Sequence, residues 1–246
     1  MTSATRVAAH PRIVYAVTRC LRIKGMDQDT LRLFGGLLWY LESRNWAFEK
    51  IKVARHGSNS SDLRIHHSLF FINFMSAIEH VIDYLKRNKV DPKTFKDQVR
   101  NGFGKTDDYC YVRELRNSVV HRGLDPSAAG HSDQTTLRVL CPATVEDRKG
   151  KPYSCSFKYL VELAQKCREA TDPAITNILE GLDLFNPQLH KPNRAETIKA
   201  VDRATEMPDW AKALAKQAFG RMDFEDATSH LAKSRVDTMR KLLDFS

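Results

Sequence analysis

Apolar residues recur at helical spacing through a long segment in the first half of the chain, and this pattern limits the fold more than any other feature. The segment runs from Asp62 to about Asn88. Its apolar residues are Phe71, Phe74, Met75, Ile78, Val81, Ile82 and Leu85. Side chains three and four positions apart share one face of an α-helix, so the segment predicts a helix with one broad apolar face. We interpret this face as part of a protein core and not as a cofactor-binding surface.

Further helices are predicted on both sides of this central helix, which gives an all-α fold. The predicted segments are a short basic helix over 10–23, a long helix over 27–55, a short helix from Asp91-Pro92 to a break at 101–104, a helix over 106–122 and a last bundle helix over 157–184. Asp27 is expected to cap the long helix. The apolar contacts of that helix are expected to be Leu31, Phe34, Leu38, Leu41, Phe48 and Ile51. Asp172-Pro173 is expected to kink or restart the last bundle helix.

Residues 126–157 depart from the helical pattern. Strand propensity at 135–140, a turn at 148–151 and a second strand at 153–157 predict one β-hairpin inserted before the last bundle helix. The five cysteines of the chain form no C-x-x-C pair, which indicates reduced thiols in a cytoplasmic protein. A disulfide between Cys141 and Cys155, which would face each other across the hairpin, is the less favoured alternative.

A domain boundary is predicted at residues 186–192, where two prolines and little apolar content suit a linker. Residues 1–185 would form a helical bundle that includes the basic N-terminal helix and the hairpin near 126–157. Residues 186–246 would form a C-terminal helical extension, with helices near 194–205, 209–221 and 224–244. Because about 60 residues are marginal for an independent core, the extension is expected to pack on the bundle, on a second copy or on a protein partner.

The formal net charge of +9 favours an anionic partner, of which nucleic acid is the usual one. Residues 1–24 contain five basic side chains and no acidic one. They lack the apolar region of a secretory signal, so export is not expected, and an organellar transit peptide is the alternative. No run of about 18 apolar residues occurs, so no membrane-spanning helix is expected.

The helix predicted over 106–122 brings several polar groups to one surface. Its sequence from Tyr109 to Gly123 is YCYVRELRNSVVHRG, and Gly123 is expected to cap it. Asn117 and His121 lie four residues apart and share a face, and the long side chain of Arg116 reaches the same patch. Arginine binds the oxygens of a phosphodiester in a fork, and histidine transfers protons near neutral pH. Together these groups indicate a phosphodiester substrate.

The same helix predicts where His121 points. Its core-facing stripe is expected to be Val112, Leu115 and Val119. His121 lies about 180° around the helix from Val112 and therefore faces away from the core. Because one convex surface cannot enclose a substrate, a second copy of this helix across a two-fold axis is expected to complete the site. Val120 and Arg113 would flank that seam.

This segment resembles the R-(polar)-x-x-x-H signature of the HEPN superfamily, through the run Arg116-Asn117-Ser118-Val119-Val120-His121. The likeness also extends to the helical layout of residues 27–184. HEPN proteins are small α-helical bundles and are usually dimeric. Many are metal-independent endoribonucleases of toxin–antitoxin, phage-defence or RNA-processing systems. The resemblance thus implies a HEPN-like homodimer that binds RNA and needs neither a metal nor a cofactor.

The resemblance also implies roles for individual residues. Arg116 would neutralise charge that develops on the scissile phosphate, and Asn117 would hold the histidine ring or the phosphate. His121 would take the proton of the ribose 2′-hydroxyl or give one to the leaving 5′-oxygen, and the second copy would perform the other transfer. The products would be a 2′,3′-cyclic phosphate and a 5′-hydroxyl.

Three further residues are assigned supporting parts. Glu79, an acid on the shoulder of the central helix, would orient Arg116 or His121. Arg113 and Arg122 would add contacts to RNA phosphates, which would make binding depend on salt.

Two other functions are consistent with these residues. The first is a non-catalytic RNA-binding or regulatory HEPN module. The second is a dimeric scaffold that recruits a protein partner or an antitoxin through residues 190–246. The key residues also have ordinary interpretations, since Arg116 would pair with Glu114 or a neighbouring acid on a solvated face and His121 would neutralise the helix dipole.

Overall fold

The computed structural model describes residues 28–55, 58–104, 106–132, 136–191, 194–205, 208–221 and 223–244. Helices account for 73% of these residues and strands for 5%, which confirms the all-α prediction. The helices are α1 (Gln28–Lys52), α2 (Ser60–Arg87), α3 (Lys93–Phe103), α4 (Thr106–Arg122), α5 (Leu160–Gly181), a 3-10 helix (Pro187–His190), α6 (Arg194–Arg203), α7 (Asp209–Arg221) and α8 (Phe224–Leu243). The predicted basic helix over 10–23 and the cap at Asp27 lie outside the described residues.

Helices α1 and α2 form an antiparallel pair at the centre of the core. The hydroxyls of Thr30 and Tyr84 are 3.0 Å apart at one end of the pair, and the Trp46 ring contacts His66 at the other. Of the predicted α2 stripe, six residues are buried and Ile82 is half-buried. On α1, by contrast, Leu31 is exposed where a core contact was predicted. It lies about 200° around the helix from the buried Leu33, so it faces outward.

Helix α5 packs on α1 and α3, and a buried ion pair joins it to α1. The guanidinium of Arg44 donates to both carboxylate oxygens of Asp172, at 2.5 and 2.8 Å, and both side chains are fully buried. The predicted restart at Asp172-Pro173 is wrong, because α5 continues through Pro173 without interruption. Asp172 accepts from Arg44 across the core and does not cap a new helix.

The segment between α4 and α5 contains two small hairpins where one was predicted. Strand β1 (Gly130–Ser132) pairs with β2 (Leu137–Val139), and β3 (Val145–Glu146) pairs with β4 (Pro152–Tyr153), both antiparallel. The predicted turn at 148–151 is present, but it joins different strands from those expected. Strand β2 pairs with β1 because β1 is the partner that lies close to it in sequence. A single bridge joins Leu140, at the end of the first predicted strand, to Tyr159, two residues beyond the second.

The cysteines of the described residues are free thiols, and Cys141 and Cys155 form no disulfide. The Cys155 thiol donates to the carbonyl of Phe157 at 3.3 Å. The interaction between the two thiols lowers the pKa of Cys155 to about 7 and, together with burial, raises the pKa of Cys141.

The C-terminal extension packs on the bundle through α8, one of the three arrangements expected. Val236, Met239 and Leu243 join the main core, and the Asn45 side chain donates to the carbonyl of Leu242 at 2.9 Å. The predicted linker is also partly folded. His190, in the 3-10 helix, is buried against the Phe34 ring with the ring centroids 4.1 Å apart. No helix in the described part of the chain is both long and apolar enough to cross a bilayer.

Candidate phosphodiester site at the end of α4

Helix α4 carries the candidate motif and is fixed at both ends. Near its start, both carboxylate oxygens of Asp108 accept from Ser156, one from the backbone N–H at 2.8 Å and one from the hydroxyl at 2.7 Å. At its end, Gly123 adopts φ +68°, a left-handed conformation that glycine allows, and the N–H of Leu124 donates to the carbonyl of Ser118 at 3.1 Å. The motif therefore lies on a helix whose position is well determined.

The inward face of α4 differs slightly from the predicted stripe. Val112 and Leu115 are buried as predicted, whereas Val119 is only half-buried. Ser118 is buried instead of Val119, because the buried face of α4 is centred closer to Ser118 than to Val119. His121 is exposed, on the outward face as predicted.

Arg116 lies against α2 and pairs with Glu79. Its Nη2 donates to Glu79 Oε2 at 2.6 Å, and its Nη1 donates to Asn117 Oδ1 at 3.2 Å. The Arg116 side chain is 18% exposed and that of Glu79 is 48% exposed, so the ion pair lies at the edge of the core. Glu79, named in the sequence analysis as an acid that would orient Arg116 or His121, thus contacts Arg116.

A second acid, Glu114, completes this polar network and was not assigned a functional part from the sequence. Its carboxylate is nearly fully buried and accepts from Asn117 Nδ2 at 3.1 Å and from Arg113 Nε at 2.8 Å. Of the two ordinary pairings considered for Arg116, with Glu114 or with a neighbouring acid, the structure forms the second, because the guanidinium turns toward Glu79 on α2. The spacing of Glu114 and Asn117, three residues apart on one helix, is the sequence signal for this contact.

His121 stands apart from this network. Within the described ranges, no residue hydrogen-bonds to its ring, and the Asn117 amide is occupied by Arg116 and Glu114. The neighbouring Val120 is also exposed, which leaves an apolar side chain beside the imidazole on the outer surface. The structure therefore brings Arg116 and Asn117 together and leaves His121 one turn further along the same helix.

The two flanking arginines are both bound to protein groups. Arg113 is bound to Glu114, as described above. Arg122 donates from Nη1 to the carbonyl of Glu146 at 2.9 Å and from Nη2 to the carbonyl of Asp147 at 2.8 Å. Each of these terminal nitrogens carries a second hydrogen that no described residue takes up, so Arg122 retains donors for an anion.

The donors left on Arg116 define what the site can bind. A guanidinium has five N–H groups, and the described contacts use one on each terminal nitrogen. The Nε–H group is buried and has no hydrogen-bond partner among the described residues. Because the Nε–H group is buried, the donors that remain for a phosphate or carboxylate oxygen are the second hydrogens on Nη1 and Nη2.

Neither a cluster of metal ligands nor a known relative gives further information on this site. Across the described residues, no three His, Cys, Asp or Glu side chains are arranged to hold a metal ion. No protein-family model matches the chain, and neither a curated protein nor a solved structure gives a significant match. The function is therefore inferred from the geometry of Arg116, Asn117, His121 and Glu79.

Proposed function

We propose that the chain is a HEPN-like endoribonuclease that cleaves RNA without a metal ion and acts as a homodimer. One observation carries the proposal: Arg116 is held in place by Glu79 and Asn117, still has unused N–H donors, and lies on the same helix as an exposed histidine. A fixed cation and a proton-transfer group on one helix supply two of the groups that cleavage by the 2′-hydroxyl needs. The toxin–antitoxin, phage-defence or RNA-processing setting belongs to the same proposal.

The proposed reaction is an internal transesterification. The 2′-oxygen attacks the adjacent phosphorus while a base removes its proton, and the bond from phosphorus to the 5′-oxygen breaks. The leaving 5′-oxygen takes a proton from an acid, so the products are a 2′,3′-cyclic phosphate and a 5′-hydroxyl. Arg116 stabilises the extra negative charge on the non-bridging oxygens as the phosphorus becomes five-coordinate.

A second copy is proposed because one His121 cannot accept and donate a proton in the same step. The exposure of His121 and Val120 on the outer face of α4 supports a two-fold pairing of this face. Such a pairing would cover the valine and bring two imidazoles to one cleft. Arg116 from each copy would then line the walls of that cleft.

The non-catalytic RNA-binding module is the second candidate, and one observation favours it. A catalytic histidine is commonly oriented by a hydrogen bond, and His121 has no such bond within the described residues. In this alternative the arginines of α4 bind RNA phosphates and the strand is not cut.

The test is an RNase assay in EDTA on wild type, His121→Ala and Arg116→Ala, with equal folding checked by thermal unfolding. His230→Ala is the matched histidine control, because His230 is highly exposed on α8 and distant in sequence from the motif. We expect each motif variant to lower the cleavage rate by about 10²-fold or more, and the control to cleave normally. The new 3′ ends should resist phosphatase until acid opens the cyclic phosphate.

Other outcomes identify the alternatives. RNA binding by all four proteins without cleavage by any of them would favour the non-catalytic module. Normal cleavage by His121→Ala would contradict the proposed proton transfer.

A further inference from the structure

The β3–β4 hairpin is attached to the end of the motif helix. The two bonds from Arg122 to the carbonyls of Glu146 and Asp147 tie the hairpin to the residue that follows His121. Val145 at the start of the hairpin is buried in the core. The hairpin therefore has a fixed position beside the candidate site.

The turn of this hairpin is stabilised from within. Asp147 Oδ1 accepts from the backbone N–H groups of Lys149 and Lys151, at 2.8 and 3.0 Å. Gly150 adopts φ +78° and donates its N–H to the Asp147 carbonyl at 3.1 Å. The hydrogen bonds that the Asp147 carboxylate accepts from the backbone of Lys151 and Lys149 lower its pKa, and the bond from Lys151 has the larger effect. The negative charge of Asp147 is therefore stabilised inside the turn. A turn built in this way presents its remaining side chains in a restricted set of directions.

Those remaining side chains are three exposed cations, Arg148, Lys149 and Lys151, which we name the hairpin tip. In the part of the chain that the structure describes, no carboxylate lies within 4.0 Å of their charged nitrogens. Some other surface cations are paired, such as Lys52 with Glu49. Lys151 Nζ instead lies 5.0 Å from the centroid of the Tyr153 ring, which orders its side chain without neutralising it.

We propose that the hairpin tip binds the phosphate backbone of an RNA strand that runs across the end of α4. This inference rests on the proposed function and names a further part of its substrate-binding surface. Three exposed cations on one ordered turn can contact the phosphates of a nucleic-acid backbone, which side chains bind without reading sequence. The tie through Arg122 places the hairpin beside the end of α4, where His121 lies.

The experiment measures the affinity of the full chain for a single-stranded 2′-O-methyl RNA of mixed sequence and for the corresponding duplex. This probe lacks the attacking hydroxyl, so binding is measured whether or not the protein is a nuclease. The test variant is Arg148→Ala, Lys149→Ala, Lys151→Ala combined. The control variant is Lys199→Ala, Lys233→Ala, Lys241→Ala combined, which removes the same charge from exposed positions of the C-terminal helices.

We expect the tip variant to weaken binding of the single strand by about tenfold or more and to reduce the slope of log K against log salt by about 2, as for three lost phosphate contacts. The control variant should bind and depend on salt almost as wild type does.

Three results overturn the inference. The first is equal weakening by the tip and control variants, which would show a diffuse charge effect. The second is unaltered affinity of the tip variant. The third is no measurable RNA affinity in wild type. If RNA binds through the tip but natural RNA is not cleaved, the proposed nuclease activity fails while the binding surface stands.

Discussion

Glu79 Oε2 lies 2.6 Å from Arg116 Nη2, and this contact joins helices α2 and α4 through two residues that are 37 positions apart in sequence. It turns Arg116 toward α2 and away from Glu114, the acid closest to it in sequence. Because the Glu79 side chain is about half-exposed, water screens the pair, and its contribution to stability is expected to be under about 1 kcal/mol. Its larger effect is on the orientation of the guanidinium.

We expect Glu79→Gln to tighten RNA binding several-fold and to slow cleavage. The substitution removes a carboxylate that competes with phosphate for Arg116, and it also removes the anchor that orients the guanidinium. Equilibrium binding and single-turnover cleavage separate the two effects. Asp83→Asn is the control, because Asp83 is an exposed acid on the same helix that pairs only loosely with Lys86, at 3.9 Å. Identical behaviour of the two variants would show that the Glu79 contact has no special effect on Arg116.

The buried ion pair between Arg44 and Asp172 gives a prediction on stability. Asp172→Asn should lower the free energy of unfolding by about 3–5 kcal/mol, because it leaves a buried guanidinium without a counter-charge. Urea unfolding at pH 7 measures the change. The combined variant Arg44→Met, Asp172→Leu should recover part of the loss, since it removes both charges of the pair but leaves Arg168, whose Nε lies 3.9 Å from Asp172. A loss below about 1 kcal/mol for Asp172→Asn would mean that the pair is hydrated in solution.

His190 predicts that stability falls on acidification. Burial lowers its pKa below 6.5, opposed by the bond from the ring to the Leu184 carbonyl, while the positive charge of Arg235 lowers it further. The unfolded chain therefore gains a proton more readily than the folded one as the pH falls below about 6.5. Stability should be complete above this pH, decline as the pH falls through it, and level off below the folded-state pKa.

The measurement is the free energy of unfolding between pH 7.5 and pH 5, for wild type and His190→Gln. The variant retains a donor for the Leu184 carbonyl but cannot take up the proton, so its curve should be flatter. His230→Gln, at an exposed position, should keep the wild-type slope. His67 contributes in the same direction in all three proteins, because burial lowers its pKa too. An unchanged slope in His190→Gln would contradict the assignment.

Two glycines give opposite predictions for the same substitution. A Cβ at Gly102 would lie 2.7 Å from the Cα and carbonyl oxygen of Ala170, so Gly102→Ala should destabilise the α3–α5 contact by about 1–3 kcal/mol. A Cβ at Gly220 in α7 would meet nothing within 4 Å, so Gly220→Ala should stabilise the chain by up to about 0.5–1 kcal/mol. Thermal unfolding of the two variants checks both signs. Tolerance of alanine at Gly102 would mean that α3 and α5 pack less closely than described.

The helices were largely predictable because their signals are local. The bounds of α4 and α7 coincide with the prediction, and those of α2 lie within two residues of it. The hairpins were predicted less well, since the choice of strand partner depends on which segments meet after folding. The strand around Arg138 had adequate propensity, but its sequence did not specify that it would pair with residues 130–132.

For the candidate site, the sequence by itself determined which groups share the surface of α4. The spacing of Asn117 and His121, and the outward direction of His121, follow from the helical repeat alone. The tertiary structure decided the partner of Arg116, the burial of Glu114 and the attachment of the β3–β4 hairpin through Arg122. Helical periodicity fixes angles within one element, whereas contacts between elements depend on how their faces pack, and a single sequence does not state that packing.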